Sequence, residues 1–147
     1  MKISVVGTLI GAAILAIGPT TVRAAEKSDG DRLHDRISEV NQHAKKAGFK
    51  TAIQRVSTET GVPVEQLETI HKRYPEAGAA GILIASVLAD ETKQPADKFA
   101  KSHESGKSWT SIAHENKVST DKLIERLDRL DRALGTVGEN PNKEKRK

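Results

Sequence analysis

Apolar residues recur at helical spacing in the first charged segment of the chain, residues 31–47 (DRLHDRISEVNQHAKKA). They form one stripe that consists of Leu33, Ile37, Val40 and Ala44. Such spacing places all of these side chains on the face of a helix that packs against a core. Gly48 follows directly, and glycine commonly ends a helix. The pattern therefore predicts an amphipathic helix over residues 31–47.

Two later segments have different patterns of apolar residues. Residues 77–89 (AGAAGILIASVLA) are apolar on every face, which is typical of a helix buried inside a bundle. At this length the segment is too short to span a bilayer, so we expect it to be the central helix. Residues 119–135 carry a leucine stripe in steps of four and three, which predicts a terminal amphipathic helix. The stripe consists of Leu123, Leu127, Leu130 and Leu134.

Three segments share one pattern: VSTETGVPVEQL (56–67), LADETKQPADKF (88–99) and IAHENKVSTDKL (112–123). In each, the first residue is apolar, the second is small, the fourth is Glu, the tenth is acidic and the last is large and apolar. The small residue lets two helices cross closely, and the acidic tenth residue suits the first turn of a second helix. Gly61 in the first segment suits a turn with positive φ. Each segment is therefore predicted to be helix, tight turn, helix.

These patterns predict an all-α fold. We expect a compact bundle of about six or seven short helices, built from repeated helix-turn-helix-like units around the buried apolar helix. Residues 25–50 are predicted to be an N-terminal amphipathic helical segment and residues 51–135 a repeated helical core domain. Residues 136–147 are predicted to be a basic, disordered tail.

The N-terminal residues 1–24 have the three parts of a secretory signal peptide. One lysine precedes an uncharged apolar run, residues 3–17, and a Gly-Pro pair then interrupts the helix. Val22 and Ala24 suit positions −3 and −1, so we expect cleavage between Ala24 and Ala25. An uncleaved membrane anchor is the alternative, but the run is shorter than the roughly 20 apolar residues of a spanning helix. The segment predicts a periplasmic or secreted protein without a transmembrane segment after processing.

The net charge of +4 is concentrated at the two ends of the chain. The bases of the tail are Lys143, Lys145, Arg146 and Lys147. Residues 25–139, which leave out the predicted signal peptide and residues 140–147, hold 18 bases and 19 acids. Nucleic-acid binding requires a clustered surplus of Lys and Arg, which this body lacks. The tail is a candidate contact with anionic lipid, cell-wall polymer or nucleic acid, and a solubilising end is the alternative.

The third repeated segment resembles the helix-turn-helix superfamily. The residues that carry the resemblance are Ala113 near the end of the first helix, Val118 and Ser119 in the turn, and Leu123 in the second helix. The resemblance implies a fold and no catalytic residue. Its candidate recognition helix, residues 119–135, has four acids beside four bases and no Asn or Gln to read adenine. DNA binding is therefore disfavoured although the fold pattern is present.

The segment GKSWTSIA, residues 106–113, is similar to a Gly-x-x-Trp-x-x-Ile-Ala segment of small exported bacterial helical proteins. That group has no assigned activity. The resemblance implies an exported all-helical protein and carries over no site residue.

Two histidines and the tryptophan are the candidate functional side chains. His71 and His103 each lie four residues after the last residue of their repeated segment, where the third segment has Leu127. We expect them to pack on the apolar stripe with a polar edge toward solvent or a backbone carbonyl. A metal-binding or pH-responsive role is the alternative, because histidine titrates near neutrality. Trp109 is either a core anchor or an exposed ligand platform.

The chain has no cysteine, no His-x-x-x-His pair, no Gly-x-Ser-x-Gly elbow and no phosphate-binding loop. We therefore predict no enzymatic activity, no metal and no cofactor. The expected function is an exported, non-enzymatic helical interaction or structural module of the cell envelope, with a protein or an envelope component as partner. A helix-turn-helix nucleic-acid-binding regulator is the alternative if the N-terminal segment is not a signal peptide. An enzyme or a metal-binding stress protein is a third hypothesis, and the oligomeric state is left open.

Overall fold

A computed structural model of the protein describes residues 27–138. The all-α prediction is confirmed: within this range the chain forms seven α-helices and no strand. The helices are α1 (Asp29–Ala47), α2 (Phe49–Thr60), α3 (Val64–Arg73), α4 (Gly78–Thr92), α5 (Ala96–Glu104), α6 (Trp109–Glu115) and α7 (Thr120–Gly138). A short 3-10 turn, Pro75–Ala77, connects α3 to α4.

Helix α4 lies at the centre of the bundle and contacts every other helix. All ten residues from Ala79 to Leu88 are buried, as the apolar pattern on every face predicts. Fully burying one Leu or Ile side chain stabilises a fold by about 1.5–3 kcal/mol. Small residues bring the neighbouring helices close: a Cβ atom on Gly81 would lie 2.9 Å from the Ala77 Cβ and 3.1 Å from the ring of Trp109. This helix therefore organises the core.

Helices α1 and α7 run parallel along one side of α4. Three ion pairs show this, because the residue numbers of the paired side chains increase in the same order along both helices. These pairs are Arg32–Asp121 at 3.1 Å, Arg36–Asp128 at 2.7 Å and His43–Asp131 at 2.6 Å. An exposed ion pair contributes about 0–1 kcal/mol. The larger contribution comes from the leucine stripe of α7, which is fully buried. The ion pairs align the two helices, and the apolar contacts hold them together.

The three segments with the shared pattern have the same local structure. They form α2–α3, α4–α5 and α6–α7, each a helix, a tight turn and a second helix. The sixth residue has a positive φ in all three: 72° at Gly61 and 58° at both Lys93 and Lys117. The sequence suggested this conformation only for the glycine. The two lysines adopt it at a steric cost that glycine avoids.

We expect Lys117→Gly to raise the free energy of unfolding by about 0.5–1 kcal/mol, because glycine has no Cβ to oppose the left-handed conformation. Gly61→Ala should lower it by a similar amount for the same reason. Urea denaturation of both variants measures the two changes. Equal effects of the same sign would contradict the explanation.

Some boundaries differ from those predicted. The predicted division between residues 50 and 51 falls inside α2, and α1 packs with the other helices into one core. The last helix continues to Gly138, so that the first three residues of the predicted tail, 136–138, are helical. The signal-peptide prediction for residues 1–24 lies outside the described residues, as do its cleavage residues Ala24 and Ala25.

Candidate functional site

A groove of about 530 Å³ opens where the end of α1, the start of α2, the end of α3 and the start of α4 meet. We call it the α1–α4 groove. Its volume lies in the range of small-molecule sites, about 300–1,000 Å³. It is lined by Asn41, Ala44, Lys45, Phe49, His71, Pro75, Glu76, Gly78 and Ala79. Its wall is therefore largely apolar, with four polar side chains at different points around it.

Phe49 stands at the edge of this groove with 41% of its surface exposed. It is the one large hydrophobic residue that is exposed among the described residues. The local backbone explains this position, since Gly48 ends α1 at φ 88° and Phe49 is the first residue of α2. The ring lies against His71, with 4.0 Å between ring centroids. Phe49 was not predicted from the sequence as a site residue, because an aromatic side chain is usually needed in the core.

His71 is half-buried beneath Phe49. Its Nδ1 atom is buried and has no hydrogen-bond partner within the described part of the chain. Burial lowers the pKa of the His71 imidazole below its ordinary value, because the charged form loses hydration. Burial therefore favours the neutral form of the ring, which offers one donor and one acceptor nitrogen.

The back of the groove is held by a contact between α1 and α4. The Asn41 side-chain Oδ1 accepts a hydrogen bond of 3.0 Å from the backbone N–H of Ala80. Asn41 thus satisfies a donor at the start of α4 that its own helix leaves unpaired. Gly78 allows this approach, because a Cβ there would lie 2.6 Å from Asn41 Oδ1. This contact fixes the position of Asn41 against the start of α4.

Three lysines lie within four residues of Phe49 along the chain. Lys45 and Lys46 lie in the last turn of α1, and Lys50 is the second residue of α2. All three are exposed, and none forms an ion pair with another described residue. Glu76 is the acidic residue among those that line the groove. The corner of the molecule around Phe49 is therefore positively charged.

The other predicted candidates lie away from the groove. Trp109 is 4% exposed, which agrees with a core anchor and not with an exposed platform. His103 stacks on it with 4.3 Å between ring centroids, and its Nδ1 lies 2.8 Å from the Lys107 carbonyl oxygen. His71 and His103 thus pack on different aromatic rings, and neither is as buried as Leu127 at the equivalent position. The tail residues Lys143, Lys145, Arg146 and Lys147 lie outside the described residues.

Helix α7, the candidate recognition helix, carries most of its bases in ion pairs. These are Lys122–Glu91 at 2.7 Å, Arg126–Glu59 at 3.2 Å and Arg129–Glu125 at 2.5 Å. Two of the acids, Glu59 and Glu91, are the fourth residues of repeated segments. The carboxylates offset the positive charge of this helix and so lower its attraction for phosphate groups.

Comparison with known proteins adds no relative: no family model, curated protein or solved structure matches this chain. Across residues 27–138 no group of three or more His, Asp or Glu side chains is placed to hold a metal ion. In the same range no helix has both the length and the apolar character needed to cross a bilayer.

The lowered pKa of His71 predicts a pH dependence of stability. The unfolded chain binds a proton at the ordinary pKa, whereas the folded protein resists protonation at this site. The contribution to stability is therefore complete above the ordinary pKa and decreases as the pH falls below it. We expect His71→Leu to reduce the loss of melting temperature between about pH 8 and about pH 5. An unchanged pH dependence in the variant would contradict this explanation.

Proposed function

We propose that this protein is an exported, non-enzymatic binding module of the cell envelope and that the α1–α4 groove is its binding site. The observation that carries the proposal is the exposed ring of Phe49 at the edge of a concave, largely apolar groove. Among the described residues the other large hydrophobic side chains are buried or partly buried, whereas this one is exposed at a cavity, which is the arrangement expected of a contact residue.

The chemistry of the groove favours binding over catalysis. The residues that line it include no hydroxyl and no thiol, which disfavours nucleophilic catalysis of the serine, threonine or cysteine type there. His71 Nδ1 has no carboxylate partner among the described residues to orient it as a general base. The groove offers apolar area with an imidazole, an amide, an ammonium group and a carboxylate, which suits recognition.

Export is supported by the N-terminal pattern of residues 1–24, whose parts fit a cleaved signal peptide. The nearly neutral body and the ion-paired bases of α7 favour an envelope partner over nucleic acid.

Fractionation tests the export half of the proposal. Cells that make the full chain are fractionated, and the N-terminus of the recovered protein is sequenced. We expect a periplasmic or secreted form that begins at Ala25. The unprocessed chain in the cytosol, together with salt-dependent DNA binding, would instead support the regulator.

The binding half is tested by sedimentation of the processed protein with isolated envelopes. We expect Phe49→Ala to lower the bound fraction several-fold. Gln54→Ala, an exposed substitution on the same helix, serves as the matched control and should bind like the wild type. Equal binding of both variants would remove the groove from the proposal.

A further inference from the structure

We propose that the corner of the molecule around Phe49 docks on an anionic lipid bilayer, with the ring inserted and the neighbouring lysines on the headgroups. This inference rests on the proposed function, since it names the envelope partner of the same site. We call the surface formed by Lys45, Lys46, Phe49 and Lys50 the Phe49 face.

The chain brings these four residues to one corner because α1 ends and α2 begins within it. The segment KKAGFK, residues 45–50, contains the last turn of α1, the break at Gly48 and the first two residues of α2. Six consecutive residues extend over less than about 20 Å even when fully extended. The backbone positions of the exposed ring and of the three lysines therefore lie within about 20 Å of one another.

Helix stability explains only part of this charge. Lys45 and Lys46 lie in the last turn of α1, where a cation interacts favourably with the helix dipole. Lys50 lies in the first turn of α2, where the dipole disfavours a cation, and that turn has no acidic residue to offset it. The position of Lys50 thus works against its own helix. A role in binding an external anion accounts for it.

Seven lysines of the described residues have no carboxylate within ion-pair distance, and three of these, Lys45, Lys46 and Lys50, lie within six residues of the chain beside an exposed aromatic ring. Lys27, Lys93, Lys107 and Lys122 each lie within ion-pair distance of a carboxylate. The lysines of the Phe49 face have no such partner among the described residues, and Glu76 is the acid that lines the adjoining groove. The face keeps a net positive charge and stays hydrated until an anionic surface replaces the missing carboxylates.

An exposed aromatic side chain beside unpaired lysines favours a lipid surface over other polyanions. A single exposed hydrophobic residue is common on proteins and carries no argument alone. Combined with unpaired lysines, it matches an interface that is negatively charged outside and apolar beneath. A nucleic acid offers the charge without the apolar layer. A protein partner would need a larger apolar patch than one phenylalanine provides.

The test is sedimentation of the processed full chain with vesicles of two compositions. One contains phosphatidylcholine alone, and the other contains equal parts phosphatidylcholine and phosphatidylglycerol. We expect partitioning onto the anionic vesicles to be roughly tenfold or more stronger and to weaken with added salt. Similar binding to both compositions, or no binding to either, overturns the inference.

Variants locate the contact on the protein. The double substitution Lys45→Gln with Lys50→Gln should lower partitioning roughly 10–30-fold. Each lysine close to an anionic membrane surface strengthens binding about fivefold. Lys98→Gln with Lys101→Gln removes the same charge from exposed positions of α5 and is the matched control. Equal losses in both pairs would show that net charge acts and not this face, and would overturn the inference.

Phe49→Trp reports insertion directly, because tryptophan favours the membrane interface. We expect a blue shift of its emission on anionic vesicles, while the buried Trp109 contributes a constant signal.

Replacing the bases of the tail with Gln provides the remaining comparison: if that variant alone abolishes binding, the tail is the contact and the inference is wrong. Binding to isolated envelopes without binding to vesicles would support the proposed function and would show that the partner is not an anionic lipid bilayer.

Discussion

Replacing Phe99 with alanine is expected to lower the free energy of unfolding by about 3–5 kcal/mol. Phe99 is 1% exposed, and its helix, α5, packs against the central helix α4. The substitution removes the apolar transfer energy of the ring and leaves a cavity that rigid neighbours cannot fill. A loss of this size is a large fraction of the 5–15 kcal/mol that stabilises an ordinary domain.

Urea denaturation of the two proteins measures this change through the midpoint and slope of unfolding. Phe99→Leu is the matched control, because Leu67 and Leu123 occupy the same position in the other two repeated segments. It keeps an apolar side chain in the cavity and should cost less than half as much as alanine. A loss with alanine as small as that of a surface substitution would contradict the packing of α5.

Replacing Gly78 with alanine is expected to cost about 2–4 kcal/mol of stability. Gly78 has φ 62° and ψ −177°, a conformation that is restricted almost entirely to glycine. The new Cβ would also lie 2.6 Å from Asn41 Oδ1, which accepts the hydrogen bond from Ala80 N–H. Moving Asn41 away leaves that backbone donor unpaired at the start of α4. Thermal unfolding of the variant measures the combined cost.

Two further variants separate these causes. Gly135→Ala should instead stabilise the protein by up to about 1 kcal/mol, because Gly135 lies within α7 with no atom near its Cβ position. Asn41→Ala should cost less in the Gly78→Ala background than in the wild type, since the cap is already displaced there. Strictly additive effects on stability would show that a Cβ at position 78 does not displace the Asn41 side chain.

The amino-acid sequence by itself determined which residues are helical and which faces are buried. The stripe of α1, the wholly apolar α4 and the leucines of α7 could be predicted because helical periodicity is a local property. The end of α1 before Gly48 and the helix-turn-helix form of the three segments were predictable for the same reason.

The tertiary structure alone decided which elements meet and what their meeting leaves at the surface. Periodicity indicates that a face is buried but not against which partner, so the parallel pairing of α1 with α7 and the contact of His43 with Asp131 could not be derived from it. The same holds for the α1–α4 groove, because Phe49 looks like a core residue until the direction of the chain after Gly48 is known. Local sequence sets the conformation of each helix, whereas the exposure of a side chain depends on the elements packed around it.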